Sequence, residues 1–390
     1  MKSYLVGGWV RDELLGHEKS DRDWVIVGGS EKELVELGFK KVGADFPVFL
    51  HPVTKEEYAL ARTERKTKPG YHGFSVSSSK SITLEEDLRR RDFTINAMAK
   101  DPYTGNLIDP FGGQLDLQSG ILRHVSDAFV EDPLRVLRGA RFAARLNFLV
   151  AEETSQLMQK IVRRNELALI SPERIWKEFD NAMGEKYPFR FLEVLHHCGA
   201  LKELFPEINA IFCGHHPYIL GKLVSLLTRG KIGKEKKSIL LSAVVAQIGE
   251  TGREYKTREN RGLNLIKEFS ARLRIPKEHR ELSELFFTSR MKIDSIRGMK
   301  NNQVVAFLEE ADAYRRTERF EKLLSVYEIC LSGQSKICIQ GRANIEYLKN
   351  ALIRTKTISI KDLSENGNIS GHAIREALTN KRIKRLAEQT

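Results

Sequence analysis

Asp21 and Asp23 open an apolar run early in the chain, and a paired glycine turn, Gly7-Gly8, precedes them, followed by Trp9-Val10-Arg11-Asp12. Residues at i and i+2 of a strand point to one face, so Asp21 and Asp23 would present two carboxylates side by side. Like charges that close repel, and a cation between them relieves the repulsion. All-oxygen donors suit Mg2+, which is commonly held by one or two carboxylates together with substrate phosphates. The glycine turn supplies the complementary part. It leads into a helix predicted over Val10 to Leu15, and the backbone N–H groups around Gly8 can cradle a triphosphate, with Arg11 as a charged donor. Glu57, opening a later strand, is the candidate third carboxylate of a two-metal arrangement, although a solvated strand-end charge is an equal reading of it. Each piece alone is commonplace; their succession describes a phosphate-plus-metal site.

Two arginine-rich elements follow. One is Arg89-Arg90-Arg91-Asp92-Phe93-Thr94-Ile95-Asn96; the other runs from Glu131-Asp132-Pro133-Leu134-Arg135 through Arg138 and Arg141 to Arg145. At 3.6 residues per turn, Arg135, Arg138, Arg141 and Arg145 share one side of a helix, opposite Val136, Leu137, Ala140 and Ala144. Aligned guanidinium groups repel one another and call for an anion. Asp132 and Arg135, one turn apart, offer an acceptor and a donor fork suited to the pairing edge of a base. An ordinary amphipathic helix with i,i+3 ion pairs satisfies the same pattern.

The elements that must position these groups are of two kinds. Ser3–Val6, Trp24–Val27, Pro47–Leu50 and Glu57–Ala61 read as strands, and Ser30-x-x-Glu33 is a capping box for a helix stopped by Gly38. Glu64 to Lys80, rich in Lys, Gly and Ser, has the composition of a mobile loop. Helical pattern resumes at Leu84, Asp109 to Gly113 forms a turn cluster suited to a hinge, and helices dominate from about Asp127. The expected class is α+β: a mixed α/β head with a small sheet over residues 1–125, an all-helical neck over 126–210, and a helical body and tail over 211–390.

Bulk properties narrow the partners. The chain has 390 residues and a formal net charge of +12, and residues 221–300 hold 19 Lys/Arg against 9 Asp/Glu. A regional excess of that size suits a polyanion, since each neutralised phosphate releases counterions. The longest nearly apolar stretch, Ile239–Ile248, is too short to span a bilayer and contains Gln247. Four scattered cysteines with no Cys-x-x-Cys pair argue against a disulfide framework and fit a reducing cytoplasm. No membrane partner is expected, and the sequence leaves monomer and homodimer open.

In this order, the motifs resemble the class II tRNA nucleotidyltransferases of the polymerase-β-like superfamily. The likeness rests on Leu5 to Asp12 with Asp21-Arg22-Asp23, Arg90 to Met98, Asp109 to Gly113, and Glu131 to Arg145. A fifth element, Pro172-Glu173-Arg174-Ile175-Trp176-Lys177-Glu178, is similar to the helix bracing the nucleotide-binding neck. It covers the first 210 residues and is nearest to bacterial CCA-adding enzymes with an added C-terminal helical region. The resemblance implies stepwise addition of C, C and A to the 3′ end of tRNA from CTP and ATP, without a nucleic-acid template and with release of pyrophosphate. It implies Mg2+ on Asp21 and Asp23, triphosphate on Gly8 and Arg11, nucleotide contacts from Arg91, Arg138 and Arg141, and ribose near Asp92. Asp132 and Arg135 would be the protein template. In this family, enzymes that stop after two cytidines tend to have a shorter segment at Glu64–Lys80; the full-length one here, with Arg65, Lys66 and Lys68, favours complete addition. CC-only or A-only addition, poly(A) synthesis and a non-catalytic RNA-binding relative are the competing readings.

One region departs from the pattern. Related bacterial enzymes often carry a His-Asp phosphohydrolase in the C-terminal region, and Ala246-Gln247 stands where that dipeptide would be. Alanine has no donor atom and glutamine is a poor ligand for Mg2+ or a transition metal, so no phosphohydrolase activity is expected. His196-His197 and His215-His216 remain as candidate ligands, but neighbouring histidines on a helix point apart and suit structural roles better.

Overall fold

In a computed structural model, described over residues 1–17, 21–43, 48–66, 74–215, 217–228, 237–251, 259–331, 336–358 and 371–388, the chain divides into two units, Met1–Asn209 and Ala210–Thr390. The first unit opens with β1 (Lys2–Val6), α1 (Gly8–Leu14), β2 (Asp23–Val27), α2 (Glu31–Glu36), β3 (Lys40–Val42), β4 (Val48–Leu50) and β5 (Glu57–Leu60). Next come β6 (Thr63–Lys66), β7 (Phe74–Ser77), α3 (Leu84–Arg89), β8 (Ala99–Lys100) and β9 (Leu107–Ile108). Seven of these strands form one sheet in the order β3-β4-β5-β2-β1-β8-β9. β2 and β5 run parallel, and the other neighbours antiparallel.

Alternation along β2 feeds two cores. Val25 packs with Val6, Leu88, Ala97 and Ala99, whereas Ile26 packs with Leu34, Phe49 and Leu60. Burying each such side chain stabilises the fold by about 1.5–3 kcal/mol. The Ser30 capping box forms: Ser30 Oγ accepts from the Glu33 N–H, and the Glu33 carboxylate accepts from the Ser30 N–H. Leu37 and Gly38, at φ +82°, end α2.

Three differences from the sequence expectation are local. Glu64–Lys80 is not simply a loop, because β6 and β7 pair as an antiparallel hairpin. Backbone bonds hold such a ladder without an apolar stripe, so composition alone misses it. Residues 67–73, Lys68 among them, lie outside the described residues, as do Pro47 and His216. The Asp109–Gly113 turn works as a helix cap: the Asp109 carboxylate accepts from the Gly113 and Gln114 N–H groups at 2.7 and 2.9 Å, opening α4 (Gly113–Ser119). The helical region is also interrupted once. β10 (Ile121–Leu122) precedes α5 (Leu134–Leu146), and β11 (Leu149–Val150) returns to pair with it in parallel.

The rest of this unit is α6 (Glu152–Arg163), α7 (Pro172–Met183), α8 (Pro188–His197), α9 (Ala200–Leu204) and α10 (Pro206–Ala210), the last straddling the division. α5 packs against α7 and α8 and presses onto Phe93 at Gly139. A Cβ there would stand 2.5 Å from Met158 Cε and 2.9 Å from Phe93 Cζ, so the close approach requires glycine.

The second unit holds α11 (Pro217–Thr228), α12 (Lys237–Thr251), α13 (Glu259–Arg272), α14 (Lys277–Ser295), α15 (Asn301–Glu310), α16 (Thr317–Cys330), α17 (Lys336–Lys356) and α18 (Gly371–Ala387). α12 is its central helix, buried from Ile239 to Gly249 and packed against α13, α14 and α16. Ala246 and Gln247 belong to that core. Among the described residues no helix is long and apolar enough to cross a membrane.

Candidate active site in the first unit

The parallel pairing of β2 with β5 sets the carboxylate end of the site. Its register places Asp23 directly beside Glu57, two residues 34 apart in sequence, so the third carboxylate proposed from the sequence reaches its neighbour through the sheet. Asp21 precedes β2, so the two aspartates do not share a strand face as their spacing predicts, because the strand begins only at Asp23; both are exposed. Partial dehydration pushes the Asp23 carboxyl above its ordinary range; Arg91 pulls it back, and the negative charges of Glu57 and Asp21 add to the rise. Among the described residues no group of three His, Cys, Asp or Glu side chains is gathered for a metal ion. Asp23 and Glu57 are neighbouring oxygen donors on the sheet.

Beside Asp23, at the end of the strand where Val6 pairs with it, Gly7 (φ +70°) caps α1 and lets Gly8 start the helix. A Cβ at Gly7 would stand 3.0 Å from Arg91 Nη1, so glycine is needed both for the backbone angle and for the arginine. Arg91 is held from below by the fully buried Asp87, whose Oδ2 accepts from Nη2 at 3.1 Å, while Asp87 Oδ1 accepts from Arg90 at 2.7 Å. Both arginines pull the Asp87 carboxyl below its usual range against the effect of its burial.

A cleft of about 590 Å³ joins these parts to α5. Gly8, Arg11, Asp23, Glu57, Arg91, Asp92, Asp132, Arg135, Arg138 and Arg141 all line it; Asp21 stands outside its wall. Arg90, Asn96, Phe142, Arg145 and Arg174, all within the motifs quoted from the sequence, also line it, and Arg62 joins them from outside those motifs.

The arginine side of α5 finds its anions within the protein. Arg138 donates from Nε to Asp92 Oδ2 at 2.8 Å, with Nη2 at 2.6 Å from the same oxygen. Arg141 donates to Glu178 Oε2 on α7 at 2.5 Å, and Arg145 to Asp12 Oδ2 on α1 at 2.9 Å. Arg138 and the Asn96 side chain overcome burial to hold the Asp92 carboxyl down at about 2. Arg11, Arg138 and Arg141 also converge on Phe142, their guanidinium carbons 5.3, 5.5 and 4.9 Å from its ring centre. Asp92 is thus buried and engaged, and so is Arg11, which donates to Asp12 and Asn96 at 2 % exposure.

The i,i+3 ion-pair alternative for Asp132 and Arg135 has a different outcome. Arg135 donates to the Ala128 and Arg90 carbonyls, while Asp132 Oδ1 accepts from the Leu134 N–H at 3.0 Å and Oδ2 lies 3.9 Å from Arg174. These contacts fix both residues at the start of α5 beside the cleft. Asp87 and Arg62 were missed by sequence reasoning, and Glu178, although inside the quoted Pro172–Glu178 element, was given no partner. Asp87 carried a signal, four residues before Arg91 on a helix; Glu178 sits 37 residues from Arg141, and no local spacing links them.

Known proteins resemble the chain along its whole length. Residues 3–123 match the family described as the poly A polymerase head domain, and residues 147–212 match one described as a probable RNA- and SrmB-binding site of polymerase A. A multifunctional CCA protein of Thioalkalivibrio sulfidiphilus is 44% identical over 404 aligned residues, covering 100% of this chain and 98% of that protein. One from Pseudomonas aeruginosa is 43% identical over 402, covering 99% and 98%. Among solved structures, a CCA-adding enzyme in apo form superposes with a TM-score of 0.68 at 24% identity, covering 100% of this chain and 88% of that one. The Thermotoga maritima CCA-adding enzyme complexed with tRNA gives 0.65 at 25%, with the same coverage.

Proposed function

The chain belongs to the class II tRNA nucleotidyltransferases, the CCA-adding enzymes, and from that premise we propose that the cleft between the β2–β5 edge and α5 is where nucleotide addition occurs. The enzyme adds C, C and A stepwise to the 3′ end of tRNA from CTP and ATP, without a nucleic-acid template, and releases pyrophosphate. The observation that supports the cleft as the site is its two walls: Asp23 and Glu57 on the sheet, and Asp132 with Arg135, Arg138 and Arg141 on or beside α5.

Enzymes of this family are generally metal-dependent, and the donors here fit Mg2+. Asp23 lies beside Glu57 and near Asp21, and the set is all oxygen, to be completed by substrate phosphates. Asp21 and Asp23 would hold the ion, with Glu57 adjoining. When bound, it would neutralise triphosphate charge and favour ionisation of the attacking 3′-hydroxyl. The protein's own contribution is positioning. The N–H groups at the start of α1 face the triphosphate beside Gly8, and Arg91 adds charge from a fixed footing on Asp87. Asp132 and Arg135 meet the base edge, first of CTP and then of ATP. Arg11 and Asp92 brace the wall from within, a more structural part than direct triphosphate or ribose contact.

tRNA phosphates would be gripped by the second unit, which we place with the enzyme in the cytoplasm. Exposed cations of the 221–300 stretch include Arg261, Lys267, Arg272, Arg274, Lys292, Arg297 and Lys300. α17 and α18, which pack together, are denser still, with ten Lys/Arg against two Asp/Glu. Incubating the protein with tRNA lacking its last three nucleotides and each labelled NTP tests the function. CMP, CMP and AMP added in turn support it; an oligo(A) ladder, or arrest after two cytidines, contradicts it.

A further inference from the structure

Two of the ion pairs of the arginine wall, those of Arg145 and Arg138, belong to one circuit. From Arg145, Nη2 donates to Asp12 Oδ2 at 2.9 Å, and Asp12 Oδ1 accepts from Arg11 Nε and Nη2 at 2.9 and 2.8 Å. Arg11 Nη1 donates to Asn96 Oδ1 at 2.6 Å, Asn96 Nδ2 donates to Asp92 Oδ1 at 3.1 Å, and Asp92 Oδ2 accepts from Arg138. The circuit leaves α5 at Arg145 and returns to it at Arg138, two helical turns earlier, a span of about 10 Å. Its middle is sealed from water: Asp12 is 0 % exposed, Arg11 2 %, Asn96 6 % and Asp92 7 %.

What the circuit joins matters more than its length. Arg11 and Asp12 sit on α1, one turn beyond the Gly7-Gly8 turn; Arg138 lies one turn beyond Arg135 on α5. The phosphate-facing turn and the base-facing pair are therefore held apart by a fixed distance. Asp12 is the member shared by both helices, since it neutralises a guanidinium from each. Taking its charge away leaves Arg11 buried beside Arg145 with no counter-ion there, a strongly unfavourable arrangement that α1 and α5 relieve by separating. Recognition of a base through two hydrogen bonds depends on that distance, because slack near 1 Å lets the groups of another base reach the same partners.

We propose that Asp12 is a positioning residue that sets nucleotide selectivity, acting through Arg145 and the Arg11–Asn96–Asp92–Arg138 circuit without touching the nucleotide. The proposal rests on the reading of the cleft given above. Asp12→Asn, Arg145→Met and the double variant of the full-length enzyme are compared with wild type, using CTP and UTP singly on tRNA lacking CCA, and ATP and GTP singly on tRNA ending in CC. Each single variant is expected to raise the UTP-to-CTP and GTP-to-ATP ratios of kcat/KM about tenfold, the double variant adding little because the circuit is already open. Arg145→Lys, which keeps a cation for Asp12, should restore most of the selectivity. Arg145 is one-third exposed, so its variants stay informative even if Asp12→Asn folds poorly. Unchanged ratios with activity falling only in step with melting temperature would overturn the proposal, as would additive effects in the double variant. A wild-type enzyme that adds neither CMP nor AMP would instead refute the underlying reading, and this inference with it.

Discussion

The two walls of the cleft solve opposite electrostatic problems. On the sheet, Asp23 lies beside Glu57 and near Asp21, and partial dehydration, with these negative neighbours, raises its carboxyl against the pull of Arg91. On α5, Arg138, Arg141 and Arg145 are each matched by a carboxylate from another element. The first wall is finished only by something that binds; the second is built before anything arrives. An unfinished wall costs stability in the free protein and repays it on binding, whereas a finished wall fixes geometry.

The contrast breaks most sharply at the carboxylates. Asp21→Ala and Asp23→Asn are each expected to lower CMP incorporation at least ~1,000-fold, with tRNA retention in filter binding nearly unchanged. Comparable loss of tRNA affinity would mean that the carboxylates shape the fold and not the chemistry. On the finished wall, Glu178→Gln removes the nearer carboxylate of Arg141 and leaves Glu185 3.8 Å away, and the Arg141–Glu178 pair is almost buried. The expected cost is about 3 kcal/mol in urea denaturation, with KM raised for CTP and ATP alike. A loss below ~1 kcal/mol would show the pair to be an ordinary surface bridge.

The pH dependence has opposite signs on the two sides. Asp92 is held at about 2 against an ordinary value of 3.8, so its stabilisation is complete above the ordinary value and is lost as pH falls towards 2. Its share is about 2 kcal/mol, and Asp92→Asn should flatten urea-unfolding free energies measured between about pH 2 and 4. Asp23 is raised, so the folded state binds its proton more tightly than the unfolded one. Stability from this group is present below its ordinary value and is lost as pH climbs through the folded one. Asp23→Asn should therefore stabilise the free enzyme slightly at neutral pH, read as a higher melting temperature, while abolishing activity. The smallest effect is expected at Gly139, where an added methyl must displace Met158 or Phe93. Gly139→Ala should cost about 1–2 kcal/mol in the same denaturation assay, with selectivity among nucleotides preserved.

Local chemistry was legible in the sequence wherever one element holds it entire. Ser30-x-x-Glu33 announced its capping box, and the arginine spacing of α5 announced a face. The same signature at Thr83-x-x-Glu86 also forms a box and went unread, although the helix itself was expected at Leu84. Partnerships between distant segments were not legible. Glu57 became a neighbour of Asp23 only through the parallel register of β2 and β5, and Arg138 met Asp92 across 46 residues. Short strands such as β8, β9, β10 and β11, two residues each, carry too little pattern for periodicity to find. The internal counter-charges of Arg138, Arg141 and Arg145 were illegible for the same reason: they come from the loop at Asp92, α7 and α1.

The most direct test of the unfinished wall is manganese soaked into crystals of the enzyme together with CTP. Anomalous density beside Asp21 and Asp23, lost in Asp23→Asn, is the expected result. Nucleotide bound in the cleft with no manganese at those carboxylates would contradict the account.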